Sequence, residues 1–154
     1  MLVRDILLEP IKGNILSEGI AETTKSKYSH SAIQTKLGHV IEANFDKGVI
    51  QTDSYEWHKN NSNRKIIMSN WYESKIDPYT LIGKKYFKGK FINFLLFRIF
   101  TWLKLNNLAN NIINRTNKNQ LVCSTINAKC RGMANDWLVL PKDLEKFIYI
   151  AVGN

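Results

Sequence analysis

The sequence predicts an α+β domain in which an antiparallel sheet packs against helices. Small and apolar residues alternate with polar ones from Tyr28 to Gln34, which is the two-residue period of half-buried strands, and an apolar run resumes after a turn at Val40–Ala43. Beyond Pro78 the apolar residues recur at helical spacing. Strands and helices therefore follow one another in blocks, an order that disfavours a parallel βαβ array. The 154 residues suit one domain over 1–154, long enough to bury roughly two thirds of the surface that the unfolded chain exposes.

The first elements predicted are a short strand and a hairpin. Val3–Leu8 is an apolar strand, and the mixture of Gly, Ser, Thr and Lys in Ile11–Lys27 predicts a loop. The hairpin has its strands at Tyr28–Gln34 and Val40–Ala43, with a turn at Lys36–His39 between them.

Two further strands and a helical region follow. The strands are expected at Gly48–Thr52 and Lys65–Ser69, separated by the polar loop Lys59–Asn63. Apolar spacing from Tyr79 to Ile113 predicts helix, with breaks expected at Gly83 and Gly89.

The C-terminal part predicts a helix, a turn and a strand. The helix spans Ser124–Met133 and stops at Gly132, Pro141–Leu144 forms a helical turn, and Phe147–Val152 closes the chain as a strand.

The net charge of +9 suits anionic partners such as nucleic acid, anionic lipid or acidic polymers. The alternative is that an Asn- and Lys-rich composition reflects an AT-rich genome. Asp5 and Glu9 interrupt the apolar N-terminus, so we expect no signal peptide and a cytoplasmic protein as synthesised. Phe91–Leu105 is too short to span a membrane. Association with a membrane surface, or export by a route without a signal peptide, stays open.

Two cysteines, Cys123 and Cys130, lie seven residues apart. On one helix this spacing separates their Cα atoms by about 10 Å, too far for a disulfide. A reducing compartment suits them, and Cys130 is predicted to be a buried thiol. Together with His39 and His58 they form no zinc-binding pattern, so a zinc site is not expected. The sequence also has no Gly-rich phosphate loop, and neither a metal nor an organic cofactor is expected.

Three residues form a split catalytic pattern: His30, Glu42 and Cys123. A thiol, an imidazole and a carboxylate supply a nucleophile, its base and the group that orients the base. The predicted hairpin lets His30 and Glu42 face one another. Cys123 would begin a helix, whose dipole and free N–H groups favour a thiolate and an oxyanion. The alternative is that each is an ordinary core or strand residue.

The segments Tyr28–Ile33 and Gly38–Ala43 resemble the His motif of NlpC-type papain-fold hydrolases. Glu42 occupies the place of their third, polar residue. Those proteins usually carry the nucleophile before the His, whereas Cys123 follows it here, as in the circularly permuted branch. The resemblance implies a circularly permuted papain-like fold with Cys123, His30 and Glu42 as its triad.

Other short segments extend the resemblance in the family's order. Asp5–Leu8 is similar to its opening strand, Asp77–Tyr79 to its aromatic turn and Leu140–Leu144 to its closing turn. The resemblance implies that Tyr79 lies near the nucleophile, as an oxyanion donor or at the border of an acyl pocket. Packing after the proline is the alternative for Tyr79. Ser124 is the other predicted oxyanion or substrate residue.

The expected function is cysteine-dependent hydrolysis of an amide, ester or thioester through an acyl-thioester. Two positions depart from the family: Arg4 stands where the family usually has Gly, and Thr125 stands where it often has an acidic residue. The departure at Thr125 leaves the substrate open. The expected substrates are a peptide, peptidoglycan or a lipid acyl group, and acyl transfer is an alternative to hydrolysis.

The basic, aromatic stretch Lys84–Leu105 predicts peripheral membrane contact. Its alternative is a core helix with a collar of solvated lysines. The rival to an enzyme is a non-catalytic basic module that binds an anionic surface or nucleic acid. No nucleic-acid motif is present, so nucleic acid is not expected as a partner.

Overall fold

The computed structural model describes residues 1–86, 121–136 and 139–152. Within these ranges the chain forms six strands, four α-helices and one 3₁₀ helix. In chain order they are β1 (Leu2–Leu8), α1 (Ile15–Thr24), β2 (His30–Thr35), β3 (His39–Asn44), β4 (Gly48–Asp53), α2 (Ser54–Asn60), β5 (Ile66–Met68), β6 (Tyr72–Glu73), the 3₁₀ helix (Pro78–Leu81), α3 (Cys123–Arg131) and α4 (Pro141–Val152).

The strands form one antiparallel sheet in the order β4-β3-β2-β1-β5, with β6 also paired to β1. The predicted hairpin is confirmed as β2 and β3, and its turn includes Gly38 with a φ of +86°, a conformation that glycine adopts at no steric cost. The predicted α+β class, a sheet with helices packed against it, is confirmed at this level.

The sheet buries apolar side chains on both faces because successive residues of a strand point to opposite sides. Ile33 and Ile41 pack with Ile126 of α3 on one face. On the other face, Trp57 of α2 packs in one cluster with four residues of the first three strands, namely Ile6, Leu8, Ala32 and Val40.

A buried carboxylate anchors α3 to the sheet. Asp5 of β1 is fully buried and accepts hydrogen bonds from the Tyr72 hydroxyl at 2.8 Å and the Asn127 amide at 2.9 Å. Its other oxygen binds Arg131 Nε, and Asn127 also donates to the carbonyl of Ala32 at 2.9 Å. These bonds fix the position of α3 against β1 and β2.

Helix α1 corrects the prediction of a loop at Ile11–Lys27. Its N-cap is Asn14, whose side chain accepts from the Ser17 N–H at 2.9 Å, and its C-cap is Lys25 in the left-handed conformation. Glycine and hydroxyl residues gave the segment a loop-like composition, yet they lie in a capped helix. Helix α2 and strand β6 were also absent from the prediction.

Helix α4 corrects the prediction of a closing strand at Phe147–Val152. The helix begins at Pro141 and continues to Val152. Leu144 and Ile148, one turn apart, pack against Leu7 in one core cluster. This tertiary packing outweighs the strand propensity of the local sequence.

The predicted helical region Tyr79–Ile113 is described only at its start, as the 3₁₀ helix. Residues 82–86 are described and form no helix, and the part beyond Tyr86 lies outside the described residues, as does most of Lys84–Leu105. In the described part of the chain, none of the helices is long and apolar enough to cross a membrane.

Candidate active site

His30 and Glu42 meet where β2 and β3 begin to separate. Ala32 and Glu42 are the last residues paired between β2 and β3 at this end of the hairpin. Strand β2 begins two residues earlier, at His30, so His30 points to the same side of the sheet as Ala32. The two side chains therefore share a face of the sheet. His30 Nε2 lies 2.7 Å from Glu42 Oε2. Burial raises the pKa of Glu42, but the hydrogen bond and charge of His30 outweigh it and hold that pKa below its usual value.

Cys123 is the first residue of α3 and lines the same cavity as His30, whose hydrogen bonding to the sulfur lowers the pKa of the thiol. Because Nε2 of His30 binds Glu42, Nδ1 is the ring nitrogen left for the sulfur. The backbone N–H groups of Ser31 and Ser124 also donate to the thiol. One side chain from a helix and two from neighbouring strands thus form a continuous Cys–His–Glu chain.

The thiol and the imidazole favour an ion pair. Burial disfavours both charged forms. The bond to His30 and the two N–H groups outweigh burial and lower the pKa of Cys123, while the bonds to Cys123 and Glu42 raise the pKa of His30 to about 10. A thiolate beside an imidazolium is the reactive form of a catalytic cysteine.

The start of α3 supplies donors for a developing negative charge. Val122 is the N-cap, and its N–H reaches Thr125 Oγ1 at 3.4 Å, while the Thr125 N–H donates to the Val122 carbonyl at 3.1 Å. The Cys123 N–H lies in the first turn, where helix geometry provides no intrahelical acceptor. It can therefore donate to an oxyanion formed beside the sulfur.

A cavity of about 570 Å³ contains the three residues. Its apolar wall brings together residues from both halves of the chain, including Ile11, Ile20, Phe45, Val122, Val139, Leu140 and Pro141. Polar residues from α1, from the loop before β5 and from the ends of β2 and β3 complete it. An apolar cavity with a few convergent polar groups is typical of a small-molecule or acyl-group site.

Two cavity residues, Tyr86 and Arg64, were missed by the sequence prediction. Burial and the negative charge of Cys123 raise the pKa of Tyr86, so its hydroxyl keeps its proton and can donate. Arg64 is near enough to Cys123 and Glu42 for their charges to oppose the effect of burial, which lowers its pKa. Both residues lie in polar or lysine-rich stretches, and no local pattern distinguishes them.

The structure does not bring Tyr79 to the triad. Its hydroxyl lies 2.8 Å from His39 Nδ1 and 3.1 Å from Thr35 Oγ1, and its ring packs against the core. Ser124 does line the cavity, but its hydroxyl donates to the Val139 carbonyl at 2.5 Å. The contribution of Ser124 to the site is therefore its backbone N–H, which binds Cys123.

No metal site is evident in the described ranges, since no three side chains of His, Cys, Asp or Glu converge there. No family model matches the chain, and neither a curated protein nor a solved structure is found to be similar to it. The geometry around Cys123 is therefore the basis on which the function is argued.

Proposed function

We propose that this protein is a cysteine hydrolase whose nucleophile is Cys123, with His30 as acid and base and Glu42 as the orienting group. One observation carries the proposal. Cys123, His30 and Glu42 line one cavity, His30 Nε2 lies 2.7 Å from Glu42 Oε2, and the interaction with His30 lowers the pKa of the Cys123 thiol. A nucleophile, a base and an orienting carboxylate placed together at a cavity wall are typical of a catalytic site rather than of core packing.

In the first step, the thiolate attacks a carbonyl carbon and an S–C bond forms. The Cys123 N–H stabilises the oxyanion, and Tyr86 is a second donor in the same cavity. His30 then donates its proton to the leaving amine or alcohol as the C–N or C–O bond breaks. A thioester and a neutral imidazole remain.

In the second step, water attacks the thioester. His30 takes a proton from the water, the S–C bond breaks, and the carboxylic acid leaves the cavity. The thiolate–imidazolium pair is thereby restored. Glu42 keeps the ring oriented through both steps and stabilises its charged form.

The proposal includes a circularly permuted papain-like fold. It is supported by the chain order, in which the His strand and the Glu strand precede the helix that begins at Cys123. The antiparallel sheet and the helix packed on it agree with that fold class. The similarity of sequence segments described above adds the family's motifs in the same order.

Two substrate classes fit an acyl cavity of this kind: a lipid acyl group and a cell-wall peptide. Acyl transfer to an acceptor other than water uses the same thioester. The apolar wall formed by Val122, Val139 and Leu140 favours an acyl chain or an apolar side chain next to the scissile bond.

The test is to incubate the protein separately with peptidoglycan fragments and with mixed phospholipids, and to follow products by mass spectrometry. Cys123→Ala should release no product, whereas Cys130→Ala is the matched thiol control and should stay active. Glu42→Gln should be less active than the wild type but roughly 10- to 100-fold more active than any residual activity of Cys123→Ala, because the orienting group contributes less than the nucleophile. Equal product from wild type and Cys123→Ala would refute the proposal.

The rival function is a basic module that binds an anionic surface without catalysis, motivated by the net charge of +9. It predicts sedimentation with anionic liposomes that salt reverses, together with no product from either substrate class. The same protein preparation can be used for both measurements.

A further inference from the structure

Arg64 is held in place at the cavity by two hydrogen bonds. Its Nε donates to the Glu9 carbonyl at 2.9 Å, and its Nη2 donates to Ser29 Oγ at 3.0 Å. Ser29 Oγ is in turn 2.9 Å from Ser17 Oγ of α1. The guanidinium is therefore positioned before any ligand arrives, which reduces the entropy that binding would cost.

These two bonds use Nε and Nη2 of the guanidinium and leave Nη1 available to bind a ligand. A guanidinium carries five N–H donors, and Nη1 takes part in neither bond. None of the ion pairs between residues of the described ranges includes Arg64. The nearest acids have other partners: Glu42 binds His30, and Glu9 pairs with Lys65 at 3.3 Å.

The charges that line the described part of the cavity balance one another, so the unpaired side of the Arg64 guanidinium, rather than net charge, favours an acceptor group. Among the lining residues that the structure describes, Arg64 is the one permanent cation and Glu42 the one carboxylate. The pair formed by Cys123 and His30 is neutral overall. A ligand carboxylate would contact Arg64 and add one negative charge, whereas a doubly charged phosphate would add two near the thiolate.

We infer that Arg64 binds a carboxylate of the substrate and holds it next to the carbonyl that Cys123 attacks. This inference rests on the proposed function, because it gives the cavity a substrate with an acid group near its scissile bond. The planar guanidinium matches a carboxylate in geometry as well as charge. Arg64 is thus assigned as a residue that determines specificity.

The test uses two alkylating reagents that differ in the relevant group. Iodoacetate carries a carboxylate, and iodoacetamide carries a neutral amide of similar size. In both reactions the Cys123 thiolate displaces iodide, so an S–C bond forms as the C–I bond breaks. Labelling of each cysteine is followed by mass spectrometry of peptides.

At Cys123, the iodoacetate rate divided by the iodoacetamide rate should be about tenfold or more lower in Arg64→Gln than in the wild type. This is the effect expected from the loss of one charge-assisted contact. The iodoacetamide rate should fall less than the iodoacetate rate, because any effect of Arg64 on the thiolate acts on both reactions and cancels in their ratio. Lys65→Gln is the matched control, because it removes the neighbouring positive charge from a residue that does not line the cavity. Its ratio should equal that of the wild type.

Two outcomes would overturn the inference. One is an unchanged ratio in Arg64→Gln, and the other is an equal fall of both rates, which would mean that Arg64 acts only on the thiolate. The proposed function fails separately, if iodoacetamide labels Cys123 no faster than Cys130.

A measurement on the wild type covers the case in which Arg64→Gln does not fold. Acetate should slow the labelling of Cys123 by iodoacetamide more than chloride at equal ionic strength. No protection by acetate, or stronger protection by inorganic phosphate, would overturn the assignment of a carboxylate.

Discussion

Cys123 and Cys130 lie on the same helix and are both buried, with 8% and 0% of their surfaces exposed. Their pKa values nevertheless shift in opposite directions. At the start of α3, the bond to His30 and the backbone N–H groups outweigh burial and lower the pKa of Cys123. Near the end of α3, burial is the main cause that raises the pKa of Cys130 to about 11; the hydrogen bond of Ser74 and the charge of Arg131 lower it, and the charges of Asp5 and Asp77 add to the rise.

The difference shows that burial alone makes a thiol inert and that its partners make it reactive. Cys123 has donors aimed at its sulfur and opens on a cavity, whereas Cys130 packs among apolar residues of the core. One helix therefore has a cavity end that favours a thiolate and a structural end. The structural end, with Arg131 bound to Asp5, holds the cavity end against the sheet.

The largest expected effect is on thiol labelling. At neutral pH iodoacetamide should label Cys123 at least about 1000-fold faster than Cys130, because Cys130 is accessible only in open states of small population. Peptide mass spectrometry over time measures both rates in one sample, and labelling in 8 M urea should make them nearly equal. Equal slow labelling of the two thiols in the folded protein would contradict the comparison.

The second prediction breaks the structural end of α3. Asp5→Ala leaves Arg131 without its carboxylate in a buried position and should reduce the free energy of unfolding by about 3–5 kcal/mol. Glu73→Ala, at an exposed position of β6, is the control and should change it by less than about 0.5 kcal/mol. Urea unfolding measures both values. A loss below 1 kcal/mol for Asp5→Ala would mean that the anchor contributes little.

The sequence predicts the surroundings of Cys123 at the start of α3 more completely than it predicts several other elements of the fold. The hairpin alternates apolar and polar residues around Gly38, so the facing of His30 and Glu42 followed from local pattern. The helix that begins at Cys123 ends at Gly132 in the left-handed conformation, as its sequence indicates. These elements are locally consistent, and tertiary contacts did not override them.

Other elements depend on contacts between distant residues and could not be predicted in this way. The apolar run Phe147–Val152 favours a strand locally, but its helix is fixed by packing of Leu144 and Ile148 on the sheet. Arg64 lies in the loop before β5, and its hydrogen bonds to Glu9 and Ser29, which are distant in sequence, hold its side chain at the cavity. Contacts of this range leave no periodic signal in a single sequence.

The third prediction removes the partner that distinguishes Cys123. In the wild type, labelling should persist as the pH falls below the ordinary thiol range and decline only through the lowered pKa of Cys123. In His30→Ala that pKa should rise, because burial remains while the imidazolium is lost, and labelling at pH 7 should fall about tenfold or more. A pH profile of iodoacetamide labelling measures the shift.

The matched control for the third prediction is His58→Ala, which removes a histidine that does not line the cavity. Its profile should follow the wild type. Hydrolysis should in addition decline above about pH 10, where His30 loses the proton that the leaving group needs. An unchanged labelling profile in His30→Ala would separate the reactivity of Cys123 from the imidazole.

The smallest expected effect concerns Ser124, which follows Cys123 in the chain. Its hydroxyl donates to the Val139 carbonyl, while its backbone N–H donates to the Cys123 sulfur. Ser124→Ala removes the first bond and keeps the second, so stability should fall by about 1–3 kcal/mol, since a buried carbonyl loses its donor. The rate of iodoacetamide labelling at Cys123 should change less than about threefold in the folded protein, because the charge of the thiolate is stabilised by groups that remain. Urea unfolding and labelling of the same variant give both numbers, and a tenfold fall in labelling would show that the hydroxyl itself acts on the thiolate.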